Sequence, residues 1–356
     1  MQVDSELQPA YVGAAHVVKR SRADSATQCA LLAFTVYFVF LAVAWLVFDH
    51  LMPNSIVLTI WDHEFVVDKL RRRALAVGFL PAYVVPAVFA WEIAKVGWRQ
   101  SSLRHLLGWQ SDSSRSDLIV FLIGQAHVAN LLRVALTFGA ALITGNWLHA
   151  QFCDATGVSL SLHGLPWPLQ YIAYFTIFTF FDYWCHRLDH SRWFWPLHRY
   201  HHAAEEFYVL TSSRVHPASF SEIVSITLPL AIIQVPPVVI VLVGFFIGSL
   251  RFVIHSRLDT DFGWIGRYLL QSPVHHRLHH IRDTSQPIGH YSLVPLWDHL
   301  FGTWRGKADQ QIVIGVTDVY RHGAWVAPDL WRDYIEFLAG LIRIRRSNPI
   351  AIREPA

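Results

Sequence analysis

Long apolar stretches set the first limit on the fold of this chain. The stretch TQCALLAFTVYFVFLAVAWLVF, residues 27–48, contains no charged side chain. As a helix it is long enough to cross the hydrocarbon core of a membrane, which takes roughly 20 residues. Three more stretches of similar character cover residues 74–97, 118–144 and 167–184. Because only 15% of the residues are Asp, Glu, Lys or Arg, we predict an all-α integral membrane protein with about four transmembrane helices.

A fifth apolar region, residues 223–254, contains the sequence QVPPVVI at 234–240. Two adjacent prolines remove backbone donors and break a helix. We therefore predict a Pro-broken helical hairpin, either a re-entrant pair of half-helices or a tight pair of spans. The freed carbonyl groups are tolerated at membrane depth where protein covers them.

The distribution of basic residues predicts the topology. Three basic residues within 19–22 precede the first span, and positive charge there usually marks the cytoplasmic side. Residues 1–26 are therefore expected to form a polar cytoplasmic N-terminus. The connection 145–166 contains no Lys or Arg, which fits an outside loop. The cluster KLRRR at 69–73 falls in the first outside loop and opposes the same rule, which leaves the topology of residues 50–117 open.

Composition excludes two classes of site. The net charge is +3, and no basic face with interleaved aromatic residues indicates a nucleic-acid partner. The cysteines, Cys29, Cys153 and Cys185, form no close pair and no C-x-x-C motif. Neither a disulfide framework nor a metal site with sulfur ligands is indicated.

Three histidine-rich elements are the strongest functional signal. They are DYWCHRLDH at 182–190, HRYHH at 198–202 and HRLHH at 276–280. On a helix, side chains four residues apart lie on one face. Asp182 is thus placed to accept the second ring N–H of His186, an arrangement that orients metal-binding imidazoles. The eight candidate ligands are His186, His190, His198, His201, His202, His276, His279 and His280.

Eight imidazoles suit two metal ions with several ligands each. Neutral imidazole binds iron, zinc or copper, whereas magnesium and calcium need oxygen ligands. Grouped imidazoles that took up protons would repel one another, so a bound cation explains the grouping best. A metal-buffering loop is the alternative. Such tracts are low-complexity repeats, whereas Trp, Leu and Tyr interrupt these elements.

The position of the elements favours an enzyme. Two of them follow the fourth span and the third follows the hairpin, so all can converge in a histidine-rich helical cap on the cytoplasmic face. A transporter would carry ligands near the midplane of its helices. The ionisable residues within the predicted spans, Glu92, His127 and Arg133, are scattered. This argues against a metal transporter, and the filled histidine positions argue against a non-catalytic metal-binding or scaffold protein.

Beyond the histidines, five motifs resemble the fatty acid hydroxylase/sterol desaturase superfamily of membrane di-iron oxygenases. They are DYWCHRLDH, WPLHRYHHAAEEF, SSRVHP, SPVHHRLHH and LWDHLFGTW, which occur in the family's order with similar spacing across about 170–305. Within the superfamily the motifs look closest to bacterial sterol-desaturase-like proteins and to the alkylglycerol monooxygenase branch.

The resemblance implies that the eight histidines ligate metal, and it adds further candidates. His255 in RFVIHSRLD matches another family histidine, and Asp259 stands where some members have a second one. His216 in SSRVHP matches a residue that could orient a ligand. His290 precedes Tyr291 where the family often has Asn-Tyr-Gly, and it is a further candidate ligand. Asp298 in LWDHLFGTW could orient a ligand or cap a turn, and we favour the structural role.

The chemistry implied is O2 activation at two iron ions and hydroxylation of an unactivated C–H bond of a lipid, with desaturation as the alternative. Zinc could occupy the sites in purified protein. Electrons from NAD(P)H would need a separate ferredoxin, cytochrome or reductase, because HPAS at 216–219 lacks the glycines of a fused b-type cytochrome. The expected location is the inner (cytoplasmic) membrane of a bacterium or the endoplasmic reticulum of a eukaryote.

The domain boundaries follow. We expect N-terminal transmembrane helices at 27–166, the hydroxylase-like catalytic domain at 167–305 and a C-terminal tail at 306–356. Within the tail, DLWRDYIEFLAGLIRIRR at 329–346 places apolar residues at helical spacing before a basic end. This pattern is typical of a helix that lies on the cytoplasmic leaflet. Packing against the catalytic domain is the alternative.

Overall fold

The computed structural model describes residues 24–51, 53–60, 63–68, 80–109, 111–125, 139–219, 226–282, 289–306 and 312–346. The fold is mostly helical, as the sequence predicts. The elements are α1 (Ser25–Leu51), β1 (Ser55–Ile60), β2 (His63–Asp68), α2 (Val85–Val96), α3 (Ser102–Leu107), α4 (Asp112–Gln125), α5 (Gly139–Thr156), α6 (Trp167–Asp189), α7 (Trp195–His202), α8 (Leu228–Ile232), α9 (Pro237–Ile254), α10 (Gly263–Tyr268), α11 (Pro273–His279), α12 (Leu296–Leu300) and α13 (Val326–Arg346).

The first predicted span forms helix α1. Its segment Ser25–Val47 is the one helix in the described part of the chain that is both long and apolar enough to cross a membrane. Leu32, Val36 and Phe40 are each more than 60% exposed. Such a run of exposed apolar side chains suits contact with lipid, because water would have to order around every one of them.

A β-hairpin departs from the all-α prediction. Strands β1 and β2 pair antiparallel, with Ser55 opposite Asp68 and Ile60 opposite His63. The strand sequences SIVLTI and HEFVVD are rich in β-branched residues, which favour the extended backbone over the helix.

Two other predicted spans are described only in part, and residues 74–79 lie outside the described part of the chain. Of 74–97, a π-helical turn at Leu80–Val84 and helix α2 are described. The prediction for 118–144 covers parts of α4 and α5, while residues 126–138 lie outside the described part of the chain. The fourth prediction, 167–184, corresponds to α6, which continues to Asp189.

The prolines break the apolar region 223–254 as predicted. Helix α8 ends at Ile232, and α9 begins at Pro237 after Pro236, whose φ of −58° and ψ of 133° are extended. Helix α8 packs tightly on α5: a Cβ at Gly145 would lie 2.4 Å from the Cβ of Ala231. Helix α9 packs against α6, and both contribute to one buried apolar cluster that contains Tyr174, Val243 and Ile247. Helices α6 and α9 therefore present their C-terminal ends side by side.

A buried ion pair connects the N-terminal region to the segment that follows α7. Asp117 of α4 and Arg214 form the pair, and both side chains are fully buried. The hydroxyl of Thr211 also donates to Asp117 at 2.7 Å, and the Arg214 guanidinium donates to the carbonyl oxygen of Ser113 at 2.6 Å.

Replacing Asp117 by alanine would leave the Arg214 charge buried without its partner. We expect the free energy of unfolding to fall by about 3–5 kcal/mol, measured by denaturant unfolding of the full chain in detergent. Asp112→Ala on the same helix is the control, because its partner Arg115 is 42% exposed and such surface pairs contribute less than about 1 kcal/mol. Equal effects would contradict the assigned role of the buried pair.

Candidate metal centre

Nine histidines from four helical elements converge at the ends of α6 and α9. They are His186 and His190 at the end of α6, His198, His201 and His202 on α7, His255 directly after α9, and His276, His279 and His280 at the end of α11. Helix α11 begins with a capped turn, in which the Ser272 side chain accepts a hydrogen bond from the N–H of His275. The cap and Pro273 at the first position fix where this short helix starts.

The nine side chains form two groups, and within each group the candidate ligand atoms lie within 4.8 Å of one another. The five-histidine group consists of His186, His190, His198, His202 and His279. The four-histidine group consists of His201, His255, His276 and His280. Two groups match the dinuclear arrangement predicted from the number of histidines.

Each H-x-x-H-H element is shared between the two groups. On α7, His198 and His202 belong to the five-histidine group and His201 to the other. On α11, His276 and His280 belong to the four-histidine group, whereas His279 belongs to the five-histidine group. The cause is helical geometry: residues four apart share a face, whereas adjacent residues point about 100° apart.

The spacing of ring nitrogens fits metal ions. The Nε2 atom of His198 lies 3.2 Å from that of His186 and 3.1 Å from that of His202. In the other group, the Nε2 atom of His255 lies 3.3 Å from that of His201 and 2.9 Å from that of His276. For metal–nitrogen bonds of about 2.1 Å, neighbouring ligand nitrogens lie about 3.0–3.4 Å apart.

Three carbonyl oxygens determine which ring nitrogen carries the proton. The Nδ1 atom of His186 lies 2.6 Å from the Tyr291 carbonyl oxygen, and that of His279 lies 2.8 Å from the Gly289 carbonyl oxygen. The Nδ1 atom of His255 lies 2.7 Å from the carbonyl oxygen of Arg251. A carbonyl only accepts, so each Nδ1 donates and each Nε2 presents a lone pair to its group. Converging lone pairs repel unless a cation lies between them, so the residues fit two metal ions.

Burial keeps the imidazoles uncharged. His202, His279 and His280 are each at most 3% exposed. Loss of hydration, followed by repulsion from neighbouring imidazoles, lowers the pKa of all three well below its ordinary value. Burial also lowers the pKa of His255, to about 3. Neutral imidazole is the form that binds metal.

Asp182 does not have the partner predicted from its spacing. The second ring N–H of His186 goes to the Tyr291 carbonyl, while Asp182 accepts a hydrogen bond from Arg251 at 2.8 Å. Asp182 lies one turn before His186 on α6, and Arg251 lies one turn before His255 on α9. The ion pair therefore connects the two helices just below the point where each contributes a histidine to a different group.

The segment 289–292 forms one wall of the centre, and Asp298 holds it. The buried Asp298 carboxylate accepts hydrogen bonds from the N–H groups of Tyr291 (2.9 Å) and Ser292 (3.0 Å) and from the Thr303 hydroxyl (2.7 Å). Gly289 is required here, since a Cβ would lie 2.2 Å from the Thr303 carbonyl oxygen. Burial raises the pKa of Asp298 to about 6. Asp298 thus has a structural role that positions the carbonyls for His186 and His279.

The remaining candidates lie outside both groups. The Nε2 atom of His216 donates to the carbonyl oxygen of Leu330 at 2.9 Å, which connects its loop to α13. Asp259 is 66% exposed and pairs with Arg277. His290 is buried and stacks on His275, with ring centroids 5.3 Å apart. None of the three belongs to the five- or four-histidine group among the described residues.

Several residues that shape the centre were not predicted from the sequence. Gly289 and Tyr291 act through their main-chain carbonyls, which no side-chain pattern reveals. The Phe207 ring packs against the four-histidine group, with centroids 5.2 Å from His255 and 4.8 Å from His280. Phe207 is the last residue of the motif WPLHRYHHAAEEF. Its place in a histidine-rich motif was the feature of the sequence from which its position could have been predicted.

Comparison with known proteins finds a family match over the residues that form this candidate centre. Residues 171–303 match the fatty acid hydroxylase family. The alkylglycerol monooxygenase of Homo sapiens is 29% identical over 160 residues, which are 44% of this chain and 35% of that protein. The alkylglycerol monooxygenase of Danio rerio is 30% identical over 162 residues, 43% of this chain and 36% of that protein. The resemblance to this superfamily, including its alkylglycerol monooxygenase branch, is confirmed.

These matches are partial. The chain spans about a third of the length of the curated relatives it matches. No solved structure matches the chain. All nine histidines and Asp298 fall within the matched residues 171–303, whereas α1 and α13 lie outside them.

Removing one histidine from each group tests the two-ion assignment. We expect His201→Ala and His279→Ala each to lower the metal content of the full chain by about one ion, because each removes one imidazole from a different group. Elemental analysis of purified protein would measure the loss. His216→Ala is the control and should retain both ions. Full metal content in either test variant would contradict the assignment.

Asp298→Asn tests the positioning of the five-histidine group. An amide presents N–H atoms where the carboxylate accepts hydrogen bonds, so segment 289–292 and its two carbonyls should shift. We expect metal affinity at the five-histidine group to fall by about 10–100-fold, with the four-histidine group unaffected, in a titration of metal-free protein. Asp259→Asn should change neither affinity. Equal losses at both groups would show that Asp298 acts only through general stability.

The metal-free protein should become less stable as the pH falls. Burial lowers the pKa of the clustered imidazoles below the ordinary value of 6.5, so they stay neutral when folded but take up protons when the chain unfolds. Stability is therefore fully present above pH 6.5 and declines below it, by about 1.4 kcal/mol per pH unit for each extra proton. Thermal unfolding from about pH 7.5 to about pH 5 would measure this. A constant midpoint would contradict it.

Proposed function

We propose that this chain, whose residues 171–303 form a fatty acid hydroxylase domain, is a membrane-bound di-iron oxygenase that hydroxylates an unactivated C–H bond of a lipid. The observation that carries the proposal is the convergence of nine imidazoles in two groups, in which three rings present a lone pair to their group because their Nδ1 atoms donate to carbonyls.

The donor set allows iron, copper or zinc, and the match to the fatty acid hydroxylase family favours iron. Nitrogen ligands exclude magnesium and calcium as resident ions, and O2 chemistry requires a redox-active metal, which excludes zinc. Zinc can still fill such sites in purified protein. Bound at the two groups, iron would supply the redox chemistry that activates O2 for attack on a C–H bond.

The chain's own residues position the ions and exclude water. The carbonyls of Gly289 and Tyr291 hold His279 and His186 in the orientation that binds metal. Phe207 covers the four-histidine group with an apolar ring. Burial of five of the nine imidazoles limits the access of bulk water. A dry site protects a reactive oxidant from wasteful proton and electron transfer.

An ether lipid is the proposed substrate class. The relatives are named alkylglycerol monooxygenases, and an alkylglycerol combines an apolar chain with a small polar group. An enzyme that reaches such a substrate must work at a bilayer, which suits the exposed apolar helix α1. The relatives' name also favours a monooxygenase over a desaturase of the same superfamily.

Location and partners complete the proposal. The histidine-rich cap would face the cytoplasm, because basic residues precede the first span. The proposed location is the inner membrane of a bacterium or the endoplasmic reticulum of a eukaryote. Electrons from NAD(P)H would arrive through a separate ferredoxin, cytochrome or reductase.

The function can be tested by measuring metal and product together. We expect gently purified protein to contain about two iron ions per chain, and cells that express it to accumulate a lipid heavier by one oxygen atom in mass spectra of total lipids. The His279→Ala variant, expressed at equal level, is the control and should form no product. A lipid lighter by two hydrogens would make the enzyme a desaturase. Iron-free protein with an unchanged lipidome would contradict both assignments.

A further inference from the structure

Helix α13 has two different faces. One face is buried and includes Val326, Asp333 and Phe337. The opposite face exposes large apolar side chains: Trp331 is 63%, Ile335 44% and Ile342 55% exposed. With Leu338, which is half-buried, these residues follow one another at intervals of three or four. They therefore form a single stripe along the helix, which we call the outer stripe.

The buried face of α13 holds the helix that carries three of the nine histidines. Arg199 of α7 donates hydrogen bonds to Asp333 at 2.6 Å and to Glu336 at 2.7 Å. Its Nε atom donates to the hydroxyl of Tyr320 at 3.0 Å. Because Arg199 directly follows His198 in sequence, these contacts couple the position of α7 to that of α13.

The neighbours of α13 indicate the level of lipid headgroups. Phe337 contacts Phe194, with ring centroids 5.9 Å apart. Next to Phe194, the Trp193 side chain is 40% exposed and lies under the Arg192 guanidinium. Trp184, near the end of α6, is likewise 40% exposed and covered by an arginine. Exposed tryptophan with arginine at the end of an apolar helix is typical of the membrane interface.

Charge complementarity identifies the lipid. The helix ends in the sequence RIRR, so Arg343, Arg345 and Arg346 follow the outer stripe at its C-terminal end. Basic residues next to an apolar helical face bind anionic headgroups while the apolar side chains enter the acyl boundary.

We propose that α13 docks on an anionic bilayer surface through its outer stripe, and that its inner face thereby holds α7 and its histidines at a fixed depth. The proposal rests on the proposed function only in that it places the chain in a membrane. The sequence left two alternatives for this helix, contact with the membrane surface and packing against the catalytic domain. Under this proposal both apply, because one face packs on the catalytic domain and the other lies on lipid.

Spin labels at two positions test the docking. The full chain, with Cys29 and Cys153 replaced by serine and the buried Cys185 retained, would carry a label at Ile335→Cys or at Val319→Cys. Val319 is 80% exposed but does not belong to the outer stripe. In nanodiscs of phosphatidylcholine and phosphatidylglycerol, collisions with O2 report lipid contact, and collisions with a water-soluble nickel complex report contact with water.

The proposal expects the Ile335 label to have an oxygen-to-nickel accessibility ratio several-fold higher than the Val319 label. The ratio should fall in phosphatidylcholine alone and in the Trp331→Asp/Ile342→Asp double variant, whose buried face is intact. Equal ratios at the two positions would overturn the proposal. Protection of Ile335 from both reagents would also overturn it, because a protein surface such as a second copy of this chain would then cover the stripe.

Metal content and lipid product measured on the same samples separate this proposal from the proposed function. An immersed Ile335 label in a protein without iron or product would leave the docking intact and contradict the enzyme. Two bound ions and normal product with a fully hydrated Ile335 label would support the enzyme and contradict the docking of α13.

Discussion

The repulsion between uncharged nitrogen lone pairs is the constraint on which this structure depends. Nine imidazoles, five of them buried, lie together. At His186, His255 and His279 the protonated ring nitrogen donates to a main-chain carbonyl, so that the other ring nitrogen faces its neighbours. A cation bound between such nitrogens makes the arrangement favourable. The surroundings therefore have to hold the rings in place strongly enough for metal to find its ligands already aligned.

The helices that carry most of these rings are too short to be stable alone. Helix α7 has eight residues and α11 has seven, whereas an isolated helix of fewer than about 12 residues is marginal in water. Charged side chains that contact these helices or the segments next to them hold the helices in place. Arg199 fixes α7 to α13, and Asp298 fixes the segment that meets α11. Loss of either partner in such a buried contact would leave a charge without its partner. Alternative positions of α7 and α11 are therefore unfavourable.

Support for the centre also comes from the N-terminal helices. The buried Glu92 of α2 accepts hydrogen bonds from the Ser102 hydroxyl at 2.7 Å and from the N–H of Arg257 at 2.7 Å. Arg257 lies two residues after His255, so this carboxylate ties α2 to the end of α9. Glu92 was a scattered ionisable residue in the sequence, and the structure gives it a scaffolding role. The metal centre lies within the matched domain, but helices on both sides of that domain hold it.

Local rules explain what the sequence by itself determined: the apolar helix α1, the break at Pro236, and the histidines that could bind metal. Each depends on residues within one or two helical turns. Tertiary structure decided the division of H-x-x-H-H elements between two groups, the choice of Tyr291 rather than Asp182 as partner of His186, and the exclusion of His216, Asp259 and His290. These outcomes depend on contacts between residues such as His186 and Tyr291, which are 105 positions apart. Helical spacing predicts which side chains share a face, but it does not predict which distant part of the chain will contact that face.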